Sequence, residues 1–225
     1  MKKLMALALS AAALSALADV PGNEVGLIQI NSSLKDTVVA VPFTSLSGGN
    51  VKVSELVKTT NLTAGDSLWV FENDKYTAWT LSDGEWSSVP TVNAGGLPMA
   101  SGATPSAEGK ALNLGSAIWI RRQDPSKTFW VYGAYTNNVS TVVQANKWNL
   151  IANPRSTAFT LPAPFAEGDR VRIPSDSGFP RTYKAVMKDS TLTWQSGKDS
   201  YESPVLQPGE GVWYISNGGS GTINW

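Results

Sequence analysis

The second half of this chain repeats the landmarks of the first half in the same order, so whatever fold it adopts must use one unit twice. Lys147-Trp148-Asn149-Leu150-Ile151-Ala152-Asn153-Pro154 is followed by Glu167-Gly168-Asp169-Arg170-Val171-Arg172-Ile173, then Tyr183-Lys184-Ala185, Trp194 and Leu206-Gln207-Pro208-Gly209-Glu210-Gly211-Val212-Trp213. The first half offers Val38-Val39-Ala40-Val41-Pro42, Ala64-Gly65-Asp66-Ser67-Leu68-Trp69-Val70, Tyr76-Thr77-Ala78, Trp86 and Leu112-Asn113-Leu114-Gly115-Ser116-Ala117-Ile118-Trp119. Thr128-Phe129 and Thr222-Ile223 close the two copies alike. Collinear matches at similar spacing read as an internal duplication with one supersecondary unit per copy. The units are expected at residues 19–136 and 137–225.

Within each copy the signals are strands. Ser67–Glu72, Tyr76–Leu81, Ala117–Arg122, Thr128–Tyr132, Thr141–Gln144, Trp148–Ala152, Arg170–Ile173, Thr182–Lys188, Thr191–Gln195 and Gly211–Ile215 are short, β-branched and aromatic, and turn residues separate them. The fold class expected is all-β: two tandem related units, sandwich-like or small barrels, with at most one short helix. That helix is placed at Ser54-Glu55-Leu56-Val57-Lys58, because the second copy has the proline-punctuated Leu161-Pro162-Ala163-Pro164 there. The copies differ most between Trp86 and Leu112, where the first is longer and rich in Gly, Ala, Ser and Pro. A mobile insertion is expected there, at about residues 88–111.

Lys2 and Lys3 precede an apolar run from Leu4 to Leu17, and Ala16-Leu17-Ala18 supplies the small residues of a signal-peptidase site. Residues 1–18 are therefore expected to be a signal peptide, with the mature protein exported to the periplasm, cell surface or medium. No second long apolar run follows, so no membrane span is expected after its removal. The chain has no cysteine and no histidine. Disulfides, thiolate chemistry and serine–histidine catalysis are thereby excluded, and stability must come from packing. Eighteen basic residues balance eighteen acidic ones, which gives nucleic acid nothing to bind. Nine tryptophans point instead to aromatic contact surfaces.

Trp148-Asn149-Leu150-Ile151-Ala152-Asn153-Pro154 with Leu206-Gln207-Pro208-Gly209-Glu210-Gly211-Val212-Trp213 resembles the "Trp-Asn-Leu-x-x-x-Pro … Leu-x-Pro-Gly-x-Gly-x-Trp" pattern of uncharacterised β-repeat modules in exported bacterial proteins. The resemblance covers most of the second copy and, more weakly, the first, where Thr37-Val38-Val39-Ala40 replaces the Trp-Asn-Leu segment and Leu114 replaces Pro208. It implies a β architecture and export, and it implies no catalytic residues.

Carboxylates alone can hydrolyse glycosides. Asp66, Asp169, Asp83 and Glu85, however, sit in glycine-rich turns that explain them without chemistry. Ser82-Asp83-Gly84-Glu85 and Glu72-Asn73-Asp74 lack the alternating oxygen ligands of a calcium loop. No metal and no cofactor is expected. Asn31-Ser32-Ser33, Asn61-Leu62-Thr63 and Asn138-Val139-Ser140 match a glycosylation sequon and are read as chance beside a bacterial-style leader. The terminal Trp225 resembles the last residue of an outer-membrane barrel strand, but the Gly-Ser loop before it does not alternate.

The copies also differ within the hairpin. Leu68 and Val70 match Val171 and Ile173, apolar in both, and mark the core face. The alternate positions, Ser67, Trp69 and Thr77, match Arg170, Arg172 and Lys184, so that face is expected near solvent. A turn at Asn73-Asp74-Lys75 would place Trp79 directly across from Trp69. Trp69, Trp79 and Phe71 are therefore the candidate contacts for a glycan or for a surface or matrix protein, against the simpler reading that the tryptophans pack under the insertion or against the other copy. Trp119 and Trp213, present in both copies, point to a shared packing role.

The function expected is a non-catalytic exported binding or assembly module. The alternatives are a purely structural envelope protein, a carboxylate-only glycosidase and an outer-membrane barrel. Mass spectrometry of the exported protein should find an N-terminus at Asp19, and an intact Met1 would contradict that processing.

Overall fold

The computed structural model describes residues 25–30, 35–88, 99–100, 102–134, 139–175 and 179–225. The expected signal peptide lies outside them. The described chain is nearly all β, with one short α-helix. In the first unit, β1 (Val25–Ile30), β8 (Phe129–Ala134) and β3 (Val57–Lys58) form one sheet in the order β1-β8-β3. A five-stranded sheet runs β2 (Asp36–Ala40), β7 (Ala117–Arg121), β4 (Ser67–Glu72), β5 (Lys75–Ser82) and β6 (Glu85–Ser88). The second unit has its own five-stranded sheet, β10 (Trp148–Ala152), β16 (Gly211–Ile215), β12 (Arg170–Ile173), β13 (Arg181–Lys188) and β14 (Thr191–Gln195). It is completed by the pairs β9 (Ser140–Val143) with β17 (Gly221–Asn224) and β11 (Phe159–Thr160) with β15 (Val205–Leu206). No sheet among the described residues closes into a barrel.

The helix α1 (Val53–Leu56) sits in the first unit. It opens with the Lys52 N–H donating to the Glu55 carboxylate and ends where Val57-Lys58 leave to pair with β8. Both of its apolar residues, Val53 and Leu56, are buried.

The two five-stranded sheets correspond strand for strand. Each unit carries a Gly-Asp turn whose glycine has positive φ, Gly65 and Gly168. Its aspartate is buried, with Asp66 accepting from the Gln123 N–H at 2.6 Å and Asp169 from the Asn217 N–H at 2.7 Å. Backbone bonds from that turn reach Leu81 in one unit and Ala185 in the other. This equivalence places Trp79-Thr80-Leu81 opposite Tyr183-Lys184-Ala185. The match of Tyr76-Thr77-Ala78 to that segment is therefore three residues out of place.

Register decides which tryptophans share a face. Asn73 and Asp74 both have positive φ, at 52° and 62°, and Glu72 pairs with Lys75. The hairpin thus closes with a two-residue turn of the kind that asparagine and aspartate favour, instead of the three-residue turn expected. One residue fewer in the turn flips every side chain of β5. Trp79 pairs with Leu68, on the core face, and Trp69 pairs with Ala78 on the other. Trp79 is accordingly 0% exposed, and its indole N–H donates to the Pro105 carbonyl at 2.8 Å.

Of the insertion expected at about 88–111, residues 89–98 and 101 lie outside the described set. The part that returns is packed: Ala107 is buried, the Ala100 N–H bonds the Tyr76 carbonyl, and Lys52 bridges to Ala111.

The units meet face to face through a seam of small residues. Val38, Ala40, Ala117, Leu150 and Ala152 form one buried cluster, against which Phe71 and Trp213 pack. The contacts are reciprocal: Val39 bridges to Glu210, and Ile151 to the corresponding Ser116. Gly209 rests on Ile28 and Ile30, while its counterpart Gly115 rests on Val139 and Thr141. Such exchange of equivalent contacts is what a two-fold relation between the units produces. The approach is close because Gly211 has no Cβ, which would overlap Val38. Gly211→Val should cost about 1 to 3 kcal/mol in chemical denaturation, whereas Gly197→Ala, where a Cβ meets only Ser200 at 3.9 Å, should change stability by less than about 0.5 kcal/mol.

Candidate functional site

The outer face of the first five-stranded sheet carries Trp69 and Phe71 on β4, Tyr76 on β5 and Trp119 on β7. Across the seam the second unit contributes Trp213 from β16 and Trp148 from β10. These six rings form one connected array. Trp148 meets Trp213 at 5.7 Å between centroids, and Trp213 meets Phe71 at 5.1 Å, both near perpendicular. Tyr76 then touches Phe71 at 4.9 Å and Trp119 at 5.8 Å, and Trp119 lies 5.7 Å from Trp69. Tilted and edge-on geometries are those that the aromatic quadrupole favours, each worth about 0.5 to 1.5 kcal/mol beyond area burial.

Of the residues expected on a contact face, Trp69 and Phe71 do share one, and Trp79 lies on the opposite side of the sheet. Trp69 is only 7% exposed. Tyr76, Ala78, Met99 and Trp119 pack around it, and its indole N–H donates to Ser67 Oγ at 2.8 Å. The expectation of a face near solvent is met in the second unit, where Arg170 and Lys184 are exposed, and corrected in the first. Met99, from the far side of the insertion, bridges to Tyr76 and packs against the same cluster.

The most exposed ring of the array is Trp148, at 47% and not among the candidates. Its presentation is built locally. Asn146 turns the chain with φ of 56°, and the Asn149 amide brackets that turn, accepting from the Gln144 N–H and donating to the Gln144 and Lys147 carbonyls. The Arg172 guanidinium lies 5.6 Å from the Trp148 ring. Arg172 holds the position that Trp69 holds in the first unit, so the comparison that drew attention to Trp69 had already found the partner of the more open tryptophan.

Trp148 and Phe71 line a groove of about 540 Å³ between the units. Two ion pairs lie along it: Lys110 with Glu72, and Lys147 with Asp74 at 2.7 Å, the second joining the units. The remaining polar wall is made of amides and hydroxyls, including Asn113, Gln144, Ser140 and Thr141.

The two turn aspartates are spoken for. Asp169 accepts from the Phe165, Ala166 and Asn217 N–H groups and from the Tyr214 hydroxyl at 2.6 Å. Burial and that bond hold the Tyr214 phenol far above its ordinary titration range. Asp66 accepts from the Thr63 and Gln123 N–H groups. Both carboxylates tie a loop to a strand end. Trp225 is likewise buried, its indole N–H donating to Thr141 Oγ1 at 2.7 Å.

Comparison with protein-family models, with curated proteins and with solved structures finds no match. Because Trp69 is enclosed, Trp69→Ala should lower stability by about 3 to 5 kcal/mol, on the scale of Leu68→Ala at roughly 2 to 5 kcal/mol. Thermal melts of the two variants compare them, and a Trp69→Ala protein as stable as wild type would show that its cover contributes nothing.

Proposed function

We propose that this chain is an exported, non-catalytic binding module, duplicated internally, that holds a neutral oligosaccharide in the groove beside Trp148. The observation that carries the reading is the indole of Trp148, half in solvent yet held by Trp213 and Arg172 at the rim of a long polar groove. An immobilised aromatic ring offers a flat apolar surface to the C–H face of a sugar at little entropic cost. The groove's wall fits the same chemistry. Its two carboxylates are each paired with a lysine, so it presents no net charge, and its amides and hydroxyls match a ligand made of hydroxyl groups.

Those pairings also argue against carboxylate catalysis. Each groove carboxylate is engaged by a lysine ammonium, Glu72 by Lys110 and Asp74 by Lys147. Asp66 and Asp169 are committed to backbone N–H groups elsewhere.

A glycan array probed with the mature protein, followed by calorimetry with the neutral oligosaccharide it selects, tests the reading. Trp148→Ala should weaken binding by about 1 to 3 kcal/mol while leaving the melting temperature nearly unchanged, since half of the ring is already wet. If no glycan binds, or if Trp148→Ala binds as tightly as wild type, the groove is not a sugar site.

A further inference from the structure

The two five-stranded sheets share one strand order, so positions on one side of the seam have counterparts on the other. The region of Phe71, Tyr76, Trp148 and Trp213 is one such set of positions. Its counterpart can be assigned from strand register. Trp119 corresponds to Trp213, each paired within its sheet at the same station, Trp69 with Trp119 and Arg172 with Trp213. Asp36, opposite Arg121, then corresponds to Trp148, opposite Ile215. Val70 and Ile173 are equivalent, so Pro174 stands where Phe71 stands. Thr77 and Arg181 are equivalent, so Pro180 stands where Tyr76 stands.

Three aromatic side chains on one side are therefore replaced by an aspartate and two prolines on the other. A cleft of about 360 Å³ opens there, walled by Val38, Trp119, Pro174, Pro180 and Trp213, with Lys35 and Asp36 among its lining residues. Its walls are held in place. Asp36 Oδ1 accepts from the Trp119 indole N–H at 3.1 Å and from Arg121 Nε at 2.7 Å, and the Arg121 guanidinium lies 5.1 Å from the Trp119 ring.

We propose that this second cleft is a docking site for an aromatic side chain carried on a partner polypeptide, which enters where the other side of the seam is filled from within by Phe71, Tyr76 and Trp148. The occupant is read from the protein itself: the same backbone frame, closed on the opposite side, is closed by rings packed against the tryptophan equivalent to Trp119. Proline and indole walls offer such a ring apolar contact, the Trp119 indole N–H is already taken by Asp36, and φ is fixed at both prolines. An aromatic anchor in a pre-formed pocket is the usual centre of a protein contact. The cleft opens on the other side of the seam from the groove beside Trp148, and the two share Trp213, which walls the cleft and supports the Trp148 ring.

The nine indole N–H resonances of the 15N-labelled full chain provide the readout. The probes are N-acetyl-Gly-Trp-Gly-amide, the same peptide with leucine in place of tryptophan, and a neutral hexasaccharide. The tryptophan peptide should shift the Trp119 and Trp213 resonances in a saturable way, and bind at least tenfold more tightly than the leucine peptide. Pro174→Phe with Pro180→Tyr rebuilds the plug of the other side and should weaken that binding at least tenfold. Pro180→Tyr alone, at an exposed position, should weaken it severalfold in a protein whose spectrum remains native. Absence of saturable shifts, equal binding of the leucine peptide, shifts confined to Trp148, displacement of Trp119 by the sugar instead of the peptide, or full binding by Pro180→Tyr would each overturn the assignment.

Discussion

The close approach of two sheets at Ala40, Ala117, Ala152 and Gly211 is the constraint on which the rest of this molecule depends. Edge strand β2 of the first unit does not end its hydrogen bonding at its own sheet, since the Ala40 N–H donates to the Gly209 carbonyl of the second unit at 2.8 Å. Gly209 can present that carbonyl because it takes φ of 75° at the end of the Pro-Gly turn, and because Asn153 pins the turn from behind. Buried backbone groups need partners, and here each unit completes the other. Small side chains at the contact bring Trp213 within reach of Phe71 and Tyr76. The aromatic array is thus a consequence of the seam and also a large part of its apolar contact.

The two five-stranded sheets share one strand order, and the two sides of the seam between them are filled differently. On one side Phe71, Tyr76 and Trp148 fill the space, and what remains is a long polar groove with a tryptophan at its rim. On the other, Pro174, Pro180 and Asp36 leave the space open between two tryptophans. The Gly-Asp turns, the buried aspartates and the reciprocal bridges are the same on both sides, and they belong to the scaffold. Function is to be sought where the copies differ: Trp148 against Asp36, Trp69 against Arg172, Phe71 against Pro174.

Much of this architecture was legible in the sequence. Strands Ser67–Glu72, Trp148–Ala152, Arg170–Ile173, Thr191–Gln195 and Gly211–Ile215 have the bounds their β-branched and aromatic runs suggest. Strands β1, β2 and β17 were not anticipated, because what makes them strands is a partner distant in sequence: β1 is defined by β8, β2 by β7 and β17 by β9. The site was harder to read. A difference of one residue in the turn after Glu72 moved Trp79 from a contact face into the core, and composition does not encode that difference. Trp148 was visible as part of a motif but not as an exposed ring. Its presentation rests on the turn at Asn146, and its contrast with Asp36 emerges only once β2 and β10 are known to be equivalent. Trp69 is enclosed by Tyr76 and Trp119, and Met99, in a segment whose composition promises little packing, packs against the same cluster.

Amide hydrogen exchange at Ala40 tests the central claim most directly. Within its own sheet this N–H points away from β7, and its one backbone partner is Gly209 of the other unit. If the two units are joined as described, Ala40 exchanges as slowly as Val39, whose amide lies within the sheet, and both accelerate together when Gly211→Val forces the seam apart. An Ala40 amide that exchanges at the rate of an unpaired edge-strand group, in a protein whose Val39 remains protected, would contradict the seam and with it the two clefts it creates.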